Sequence, residues 1–268
     1  MSRPSWAPAE VDLSRPSAAR VYDYYLGGSH NLEVDRRLAR EAISLWPDLP
    51  AIMQSNRAFL RRAVRYLGEQ GITQFLDIGS GIPTVGNVHE VAHRGNPEAR
   101  VVYVDSDPVA VAHSRAILTG NEKAEVVQGD LREPDAIFDH PAVRAAIDLE
   151  RPVAVLMVAV LHFVPDDDGP RAALTRIGAR LAPGSFLALS HASAEGRPEM
   201  AGSHQQLYSR TPTPMTMRSR AEILQFFDGF ELVEPGLVWL PLWHPDLPDA
   251  ADQQPERTTG FAGVGRKR

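Results

Sequence analysis

The spacing of apolar positions changes twice along the chain. Up to about residue 68 they recur every three to four residues, as on one face of a helix. Ser14 is placed to cap a first helix that begins near Pro16 and runs through Val21-Tyr22-Asp23-Tyr24-Tyr25-Leu26. Gly27-Gly28 ends it, because glycine takes the left-handed cap without a Cβ penalty. Asn31 is placed to cap a second helix through Val34, Leu38, Ala42 and Leu45, stopping before Pro47. A third carries Ile52, Phe59, Leu60, Ala63, Val64 and Leu67, with Gly68 or Gly71 as its stop.

Beyond residue 68 short apolar runs alternate with amphipathic segments. Strands are predicted at 74–78, 101–105, 125–128, 153–161 and 186–190, and helices at 84–94, 108–118, 142–147 and 169–181. That alternation predicts a doubly wound α/β fold, with a mostly parallel sheet and helices on both faces. The tail reads as a helix at 220–227 and strands at 230–233, 237–240 and 261–265, two of them an antiparallel pair at a sheet edge. Segments 192–217 and 243–257 read as irregular, the first lying over the active site. Residues 1–68 are expected to form a helical cap over the carboxyl edge of the sheet, and 69–268 the core.

Chemistry concentrates at three strand ends. Asp77-Ile78-Gly79-Ser80-Gly81 closes the first strand with an acid and a glycine turn, which lets backbone approach a ligand closely. A following helix would aim unpaired N–H groups at that ligand, with Pro83 in its first turn. Asp105, before Ser106, ends the second strand and is placed to accept ribose hydroxyls, while Asp107 fits the cap before Pro108. Asp130 follows the third, suited to an adenine amino group with Leu131 beside the ring. A dinucleotide fingerprint wants a third glycine where Thr84 stands, and a carboxylate at Asp77 suits a sulfonium or ammonium better than a pyrophosphate. Both points favour S-adenosylmethionine over NAD.

These motifs resemble those of class I S-adenosylmethionine-dependent methyltransferases. More narrowly, the chain resembles a bacterial family of S-adenosyl methyltransferases first catalogued as a domain of unknown function. That resemblance rests on Ala19-Arg20-Val21-Tyr22-Asp23-Tyr24-Tyr25-Leu26-Gly27-Gly28, on Asn56-Arg57-Ala58-Phe59-Leu60-Arg61-Arg62-Ala63, and on Phe75-Leu76-Asp77-Ile78-Gly79. Val102-Tyr103-Val104-Asp105, Leu161-His162-Phe163 and Glu234-Pro235-Gly236-Leu237-Val238 extend it along nearly the whole chain. It implies a Rossmann-like, seven-stranded sheet with a reversed last hairpin, cofactor contacts from Gly79, Gly81, Asp105 and Asp130, and no particular substrate. Pro83 departs from the general class motif, where a third glycine often sits.

Other residues remain candidates. His162, closing the buried run 153–161, is placed to position or deprotonate a nucleophile, or simply to bond the backbone. His191 is a weaker version of the same case. Of Tyr22, Tyr24 and Tyr25, some should pack as core and one should face the substrate, with Tyr22 the catalytic and Tyr24 the binding candidate. Asn56 and Arg57 are polar candidates for substrate binding, Arg57 toward an acidic group or a surface ion pair. Asp166-Asp167-Asp168 reads as helix-terminal charge rather than a metal cluster. His89-Glu90-Val91-Ala92-His93 matches a zinc-hydrolase pattern, but its helix must pack Val85, Val88, Val91 and Ala92 on the sheet, so two partly exposed histidines are expected.

Bulk properties narrow the classes. The 268 residues suffice for one large domain or one domain plus a cap. A net charge of −6 without a long basic run argues against a general nucleic-acid grip. The absence of cysteine excludes disulfides, thiolate metal sites and cysteine nucleophiles, and fits a cytoplasmic protein. Met1 to Leu13 lacks the apolar core of a signal peptide, and the longest apolar run, nine residues, is too short to cross a bilayer. The expectation is a methyltransferase with S-adenosylmethionine as cofactor, a small-molecule acceptor and no required metal. Its alternatives are a cofactor-binding protein without turnover and a zinc hydrolase through His89, Glu90 and His93.

Overall fold

A computed structural model describes residues 13–83, 86–209, 211, 213–246 and 254–268. The readings that rest on residues 1–12, on Thr84 and Val85, and on 247–253 within the tail loop lie outside them.

Three helices come first: α1 (Ala18–Tyr25), α2 (Glu33–Leu45) and α3 (Leu49–Glu69). Their caps differ from expectation. Ser17 rather than Ser14 precedes α1, and the Leu32 N–H at the start of α2 donates to Asp35 Oδ2 at 2.8 Å. Asn31 instead donates to Asp23 Oδ2 and the Gly28 carbonyl, tying the glycine turn to α1. A Cβ on Gly28 would fall 2.0 Å from Asp23 Oδ1, so this turn requires glycine.

The core alternates β1 (Gln74–Ile78), α4 (Val88–Gly95), β2 (Arg100–Asp105), α5 (Pro108–Ile117), β3 (Ala124–Gln128), α6 (Pro134–Asp139), α7 (Pro141–Ala146) and β4 (Ala154–Val158). It continues with α8 (Pro170–Arg180), β5 (Phe186–Ala192), α9 (Pro198–Tyr208), α10 (Arg220–Leu224), β6 (Phe230–Leu232), β7 (Val238–Trp239) and β8 (Gly260–Lys267). The sheet order is β3-β2-β1-β4-β5-β8-β6. The first five strands run parallel, while β8 is antiparallel to β5 and to β6. The two-residue β7 also pairs with β8, so the sheet has eight strands where the resemblance implied seven.

One face of the sheet, with Leu76, Val102, Val155 and Leu187, packs on Ile137, Phe138 and Val143 of α6 and α7 and on Leu174 and Ile177 of α8. The other, with Phe75, Val101, Tyr103 and Leu156, packs on Phe59, Leu60, Ala63, Val64 and Leu67 of α3. Fully burying each such aliphatic or aromatic side chain contributes roughly 1.5–3 kcal/mol. The helix α3 thus serves both sheet and cap. A third apolar cluster, with Val21, Leu38, Trp46, Ile52 and Tyr208, joins α1, α2, α3 and α9.

Three expectations are corrected. Segment 192–217 contains a helix, α9. The buried run after Val153 ends as a strand at Val158, and His162 lies in a 3₁₀ turn, Leu161–Phe163. The helix after the glycine loop begins at Val88 rather than residue 84, leaving Pro83 outside it. No described helix is long and apolar enough to cross a membrane.

Candidate active site

A cleft of about 770 Å³ opens along the carboxyl ends of β1 to β5, roofed by α1 and α3. Asp77, Gly79, Ser80, Gly81, Asp105, Ser106 and Gln128 line it from the first three strands. Val158, Ala159, Val160, His162, Ser190 and His191 line it from the next two, and Tyr22, Asn56 and Arg57 from the helices.

Glycine is required in the loop after β1. Gly79 and Gly81 have φ of +74° and +63°, where side chains are strained. A Cβ on Gly79 would lie 2.2 Å from Val160 Cγ2, whereas one on Gly81 would meet nothing within 4 Å. The Gly81 N–H donates to Asp105 Oδ2 at 2.7 Å, and the Asp107 N–H donates to Asp105 Oδ1 at 2.8 Å. Asp105 therefore braces both loops. Its oxygens keep lone pairs for further donors, since an ionised carboxylate offers about four acceptor sites. Asp107 caps α5, accepting from the Val109 N–H at 2.8 Å, and also accepts from the Ser17 hydroxyl at the start of α1.

Burial pushes the Asp77 carboxyl up to about 7, against the opposing pull of Arg57 and with a further push from Asp105. Burial also raises Asp105 to about 6, despite the N–H groups of Asp107 and Gly81. Two carboxyls held above their usual range, beside open glycine backbone, fit a ligand that brings a fixed positive charge and a pair of hydroxyls.

The helix N-terminus does not serve this loop as expected. Glu90 Oε2 accepts from the N–H groups of Gly86 (3.0 Å) and Asn87 (3.1 Å), a capping arrangement that occupies both donors. The zinc-hydrolase pattern dissolves accordingly: Glu90 caps its own helix. The Tyr103 hydroxyl meets His89 Nδ1 at 2.7 Å, and His93 Nε2 meets the Ala99 carbonyl at 2.9 Å. Among the described residues no group of three or more His, Asp or Glu side chains could hold a metal ion.

A directed chain of hydrogen bonds links the strand ends to the roof. The Ala159 N–H donates to Ser190 Oγ (2.9 Å), the Ser190 hydroxyl to Asn56 Oδ1 (2.6 Å), and the Asn56 amide to the Tyr22 oxygen (2.8 Å). Ala159 holds a φ of +60°, strain of about 1–3 kcal/mol that its bonds to Ser190 fix in place. Nothing in the sequence marked Ala159 or Ser190.

His162 lines the cleft but is braced by backbone. Its Nδ1 accepts from the Ala192 N–H at 3.4 Å, so the neutral ring carries its proton on Nε2. Its carbonyl accepts from the Thr216 N–H at 2.7 Å. Arg218, a buried residue that the sequence reading missed, donates to the carbonyls of Leu161 (3.0 Å) and Val164 (2.8 Å) and pairs with Asp166 at 2.7 Å. It also meets His191 Nε2 at 2.9 Å. Since guanidinium only donates, His191 must accept at Nε2 and donate from Nδ1 to the Ala192 carbonyl (2.7 Å). Burial drops His191 to about 3, with Arg218 adding to the effect. Both its ring nitrogens are used, which removes it as a hydrogen-bonding partner for a substrate.

Three further candidates fall elsewhere. Tyr24 is not a lining residue; it packs against the helical cluster and interacts with Arg40. Asp130 and Leu131 stand outside the lining: Arg132 donates to both oxygens of Asp130 at 3.0 Å, and Leu131 is core. Asp166 and Asp168 pair with Arg218 and Arg132 from a 3₁₀ turn, Asp166–Asp168, that directly precedes the N-cap of α8, so they stand at that helix terminus as expected.

This sheet order, its antiparallel β8 and a glycine loop between strand-end acids define a class I methyltransferase fold. The family model for S-adenosyl methyltransferases matches residues 4–268, and the chain belongs to that family. A candidate methyltransferase from Thermobifida fusca is 42% identical, with a TM-score of 0.92, and the match covers 99% of this chain and 100% of that one. A DUF574 family protein from Streptomyces avermitilis is 40% identical, with a TM-score of 0.91 and coverage of 96% and 99%. An O-methyltransferase family protein from Burkholderia thailandensis shares the fold at 12% identity, with a TM-score of 0.55 and coverage of 95% and 64%. No curated protein matches. The family and the fold make S-adenosylmethionine the cofactor.

Proposed function

We propose that this protein methylates a small-molecule acceptor held between the strand ends and the helices before residue 69, which roof the cofactor-bearing remainder. The observation that carries the reading is the convergence of Asp77, the Gly79–Gly81 loop and Asp105 on the same cleft as Tyr22 and His162. S-adenosylmethionine supplies a methyl group on a sulfonium whose departure leaves a neutral thioether. Asp77 faces the positive end of the amino-acid moiety, the loop around Ser80 gives it backbone room, and Asp105 with Ser106 takes the ribose. Gln128 lies at the adenine end, with Asp130 and Leu131 next along the chain. Arg57, in the field of Asp77, holds an anionic group beside it.

The chain's contribution to rate is alignment and exclusion of water. His162, with Nδ1 bonded to backbone, acts as an Nε2 donor that positions the acceptor rather than as its base. Tyr22, kept protonated by burial, is a second donor. A cytoplasmic location agrees with a chain that uses no cysteine, and a charge of −6 with a partner other than nucleic acid. Calorimetric titration with S-adenosylmethionine, S-adenosylhomocysteine and NAD tests the reading. Binding of the first two and not the third is expected; NAD binding alone would overturn it. Binding without methyl transfer across a broad acceptor panel would favour a cofactor-binding protein without turnover.

A further inference from the structure

The helical half of the cleft has a chemistry of its own. From it we infer that the acceptor is an aromatic molecule that carries no ammonium group and bears an acidic hydroxyl, an inference that rests on the methyltransferase reading above. Trp46, Met53, Phe163, Tyr208, Met215 and Met217 line this half and belong to or pack on the third apolar cluster. Three of the chain's six methionines are among them. Methionine moulds to irregular apolar ligands, and its sulfur sits well against ring edges.

Among the described lining residues, Asp77 and Asp105 stand at the ends of β1 and β2, Arg57 of α3 acts on both Asp77 and the Tyr22 hydroxyl, and Arg15 is exposed. Asp107 caps α5. Arg20 is spent on Asp35 (2.7 Å) and on the Arg15 carbonyl (2.7 Å). An acceptor with an ammonium would lose its hydration among these side chains and gain no counter-ion, whereas an oxyanion at Tyr22 meets the field of Arg57.

The hydroxyl follows from the hydrogen-bond chain. Each link runs one way, from Ala159 through Ser190 and Asn56, so the last free donor is the Tyr22 O–H. Its own contact, with the Met53 carbonyl, is long at 3.4 Å and readily exchanged for a ligand oxygen. Hydrogen bonds to an anionic oxygen are about twice as strong as neutral ones, so this donor favours a phenolate over a phenol. A base is not supplied from the histidines: His162 Nδ1 accepts from Ala192, and both nitrogens of His191 are engaged. The hydroxyl therefore surrenders its proton to water before transfer. The phenolate oxygen then forms the O–C bond as the S–C bond breaks, and that electron pair stays on sulfur, which leaves as a neutral thioether.

The test uses three probes on one skeleton: naphthol, naphthoic acid and (aminomethyl)naphthalene, each substituted at the same ring carbon. Fluorescence titration of the S-adenosylhomocysteine complex gives affinities, and tritium from the labelled methyl group of S-adenosylmethionine reports transfer. Naphthol should bind at least about tenfold more tightly than (aminomethyl)naphthalene and, unlike naphthoic acid, be methylated faster as pH rises toward its own ionisation. Met53→Glu should abolish that preference and Met53→Leu keep it, with S-adenosylhomocysteine affinity as the check of folding. Tyr22→Phe should lower kcat and shift the rate profile to higher pH. Equal or tighter binding of (aminomethyl)naphthalene, or no binding of any probe by a protein that binds S-adenosylhomocysteine, would overturn the acceptor class alone. Naphthol bound but not methylated would overturn the hydroxyl assignment. Failure to bind S-adenosylhomocysteine would bring down the methyltransferase reading itself.

Discussion

Along its strand side the cleft is made of bare backbone and carboxylate; along its helix side it is made of thioether, aromatic ring and aliphatic chain. The strand side is dictated by position. Asp77 and Asp105 end neighbouring parallel strands whose register pairs Asp77 with Tyr103 and Ile78 with Val104, so their carboxyls share one rim. The helix side is assembled from α2, α3, α9 and the turns beside them, segments far apart in sequence, and its character comes from packing. On the proposed reading one side recognises fixed atoms of a nucleoside and the other accepts shape. Substitutions should therefore act steeply and specifically on the first and gradually on the second.

The largest effect is expected at the glycine loop. Gly79→Ala forces a side chain into positive φ and against Val160, at a combined cost of about 3 kcal/mol, read as a lower midpoint in urea unfolding. Gly81→Ala, with open space around it, should cost only about 1 kcal/mol and act mainly on cofactor affinity. Equal losses at the two sites would erase the close contact with Val160 as a cause.

Next comes Asp105→Asn. Loss of charge-assisted bonds to ribose and to the Gly81 N–H should weaken S-adenosylhomocysteine binding by about 10- to 100-fold in calorimetry. Met53→Leu, on the other side, should leave it within about twofold. Equal losses would mean that the two sides are not separate.

Acidity sharpens the contrast further. Asp77 rises from 3.8 to about 7 in the folded protein, so between those values the native state holds a proton that the unfolded chain has released. Stability without ligand should consequently fall as pH rises from about 4 to 7, and Asp77→Asn should flatten the curve. Over the same window S-adenosylmethionine should bind more tightly, because its positive charge needs the ionised carboxylate. A ligand-free Tm that climbed with pH would contradict a raised Asp77. The smallest change belongs to His89→Ala, which loses the Tyr103 contact, about 1 kcal/mol of stability, and no S-adenosylhomocysteine affinity.

How much of this could be read beforehand follows the same division. Most strand positions, the doubly wound class and the strand-end acids Asp77 and Asp105 were legible, because short continuous apolar runs and glycine turns are local properties. The start of α4 was not, since Glu90 reaches back to cap residues four positions earlier and shortens the helix. Tyr24 and Tyr22 sit two residues apart on α1, so they point in different directions, and only the fold reveals which one meets the cleft. His191 looked reactive because Arg218, 27 residues away in sequence, could not be seen to occupy it. α9 was read as irregular because the glycine and polar residues of its sequence, PEMAGSHQQLY, hide its apolar contacts.

The bond between Ser17 and Asp107 carries a kinetic consequence. It fastens the first turn of the roof to the shelf where the nucleoside is proposed to lie, and Ser17 itself borders the cleft. On the proposed reading a spent nucleoside leaves past that fastening before a fresh one enters. Turnover would then be paced by the opening of this hydroxyl hinge rather than by bond exchange at sulfur, giving a burst of first product followed by a slower steady rate.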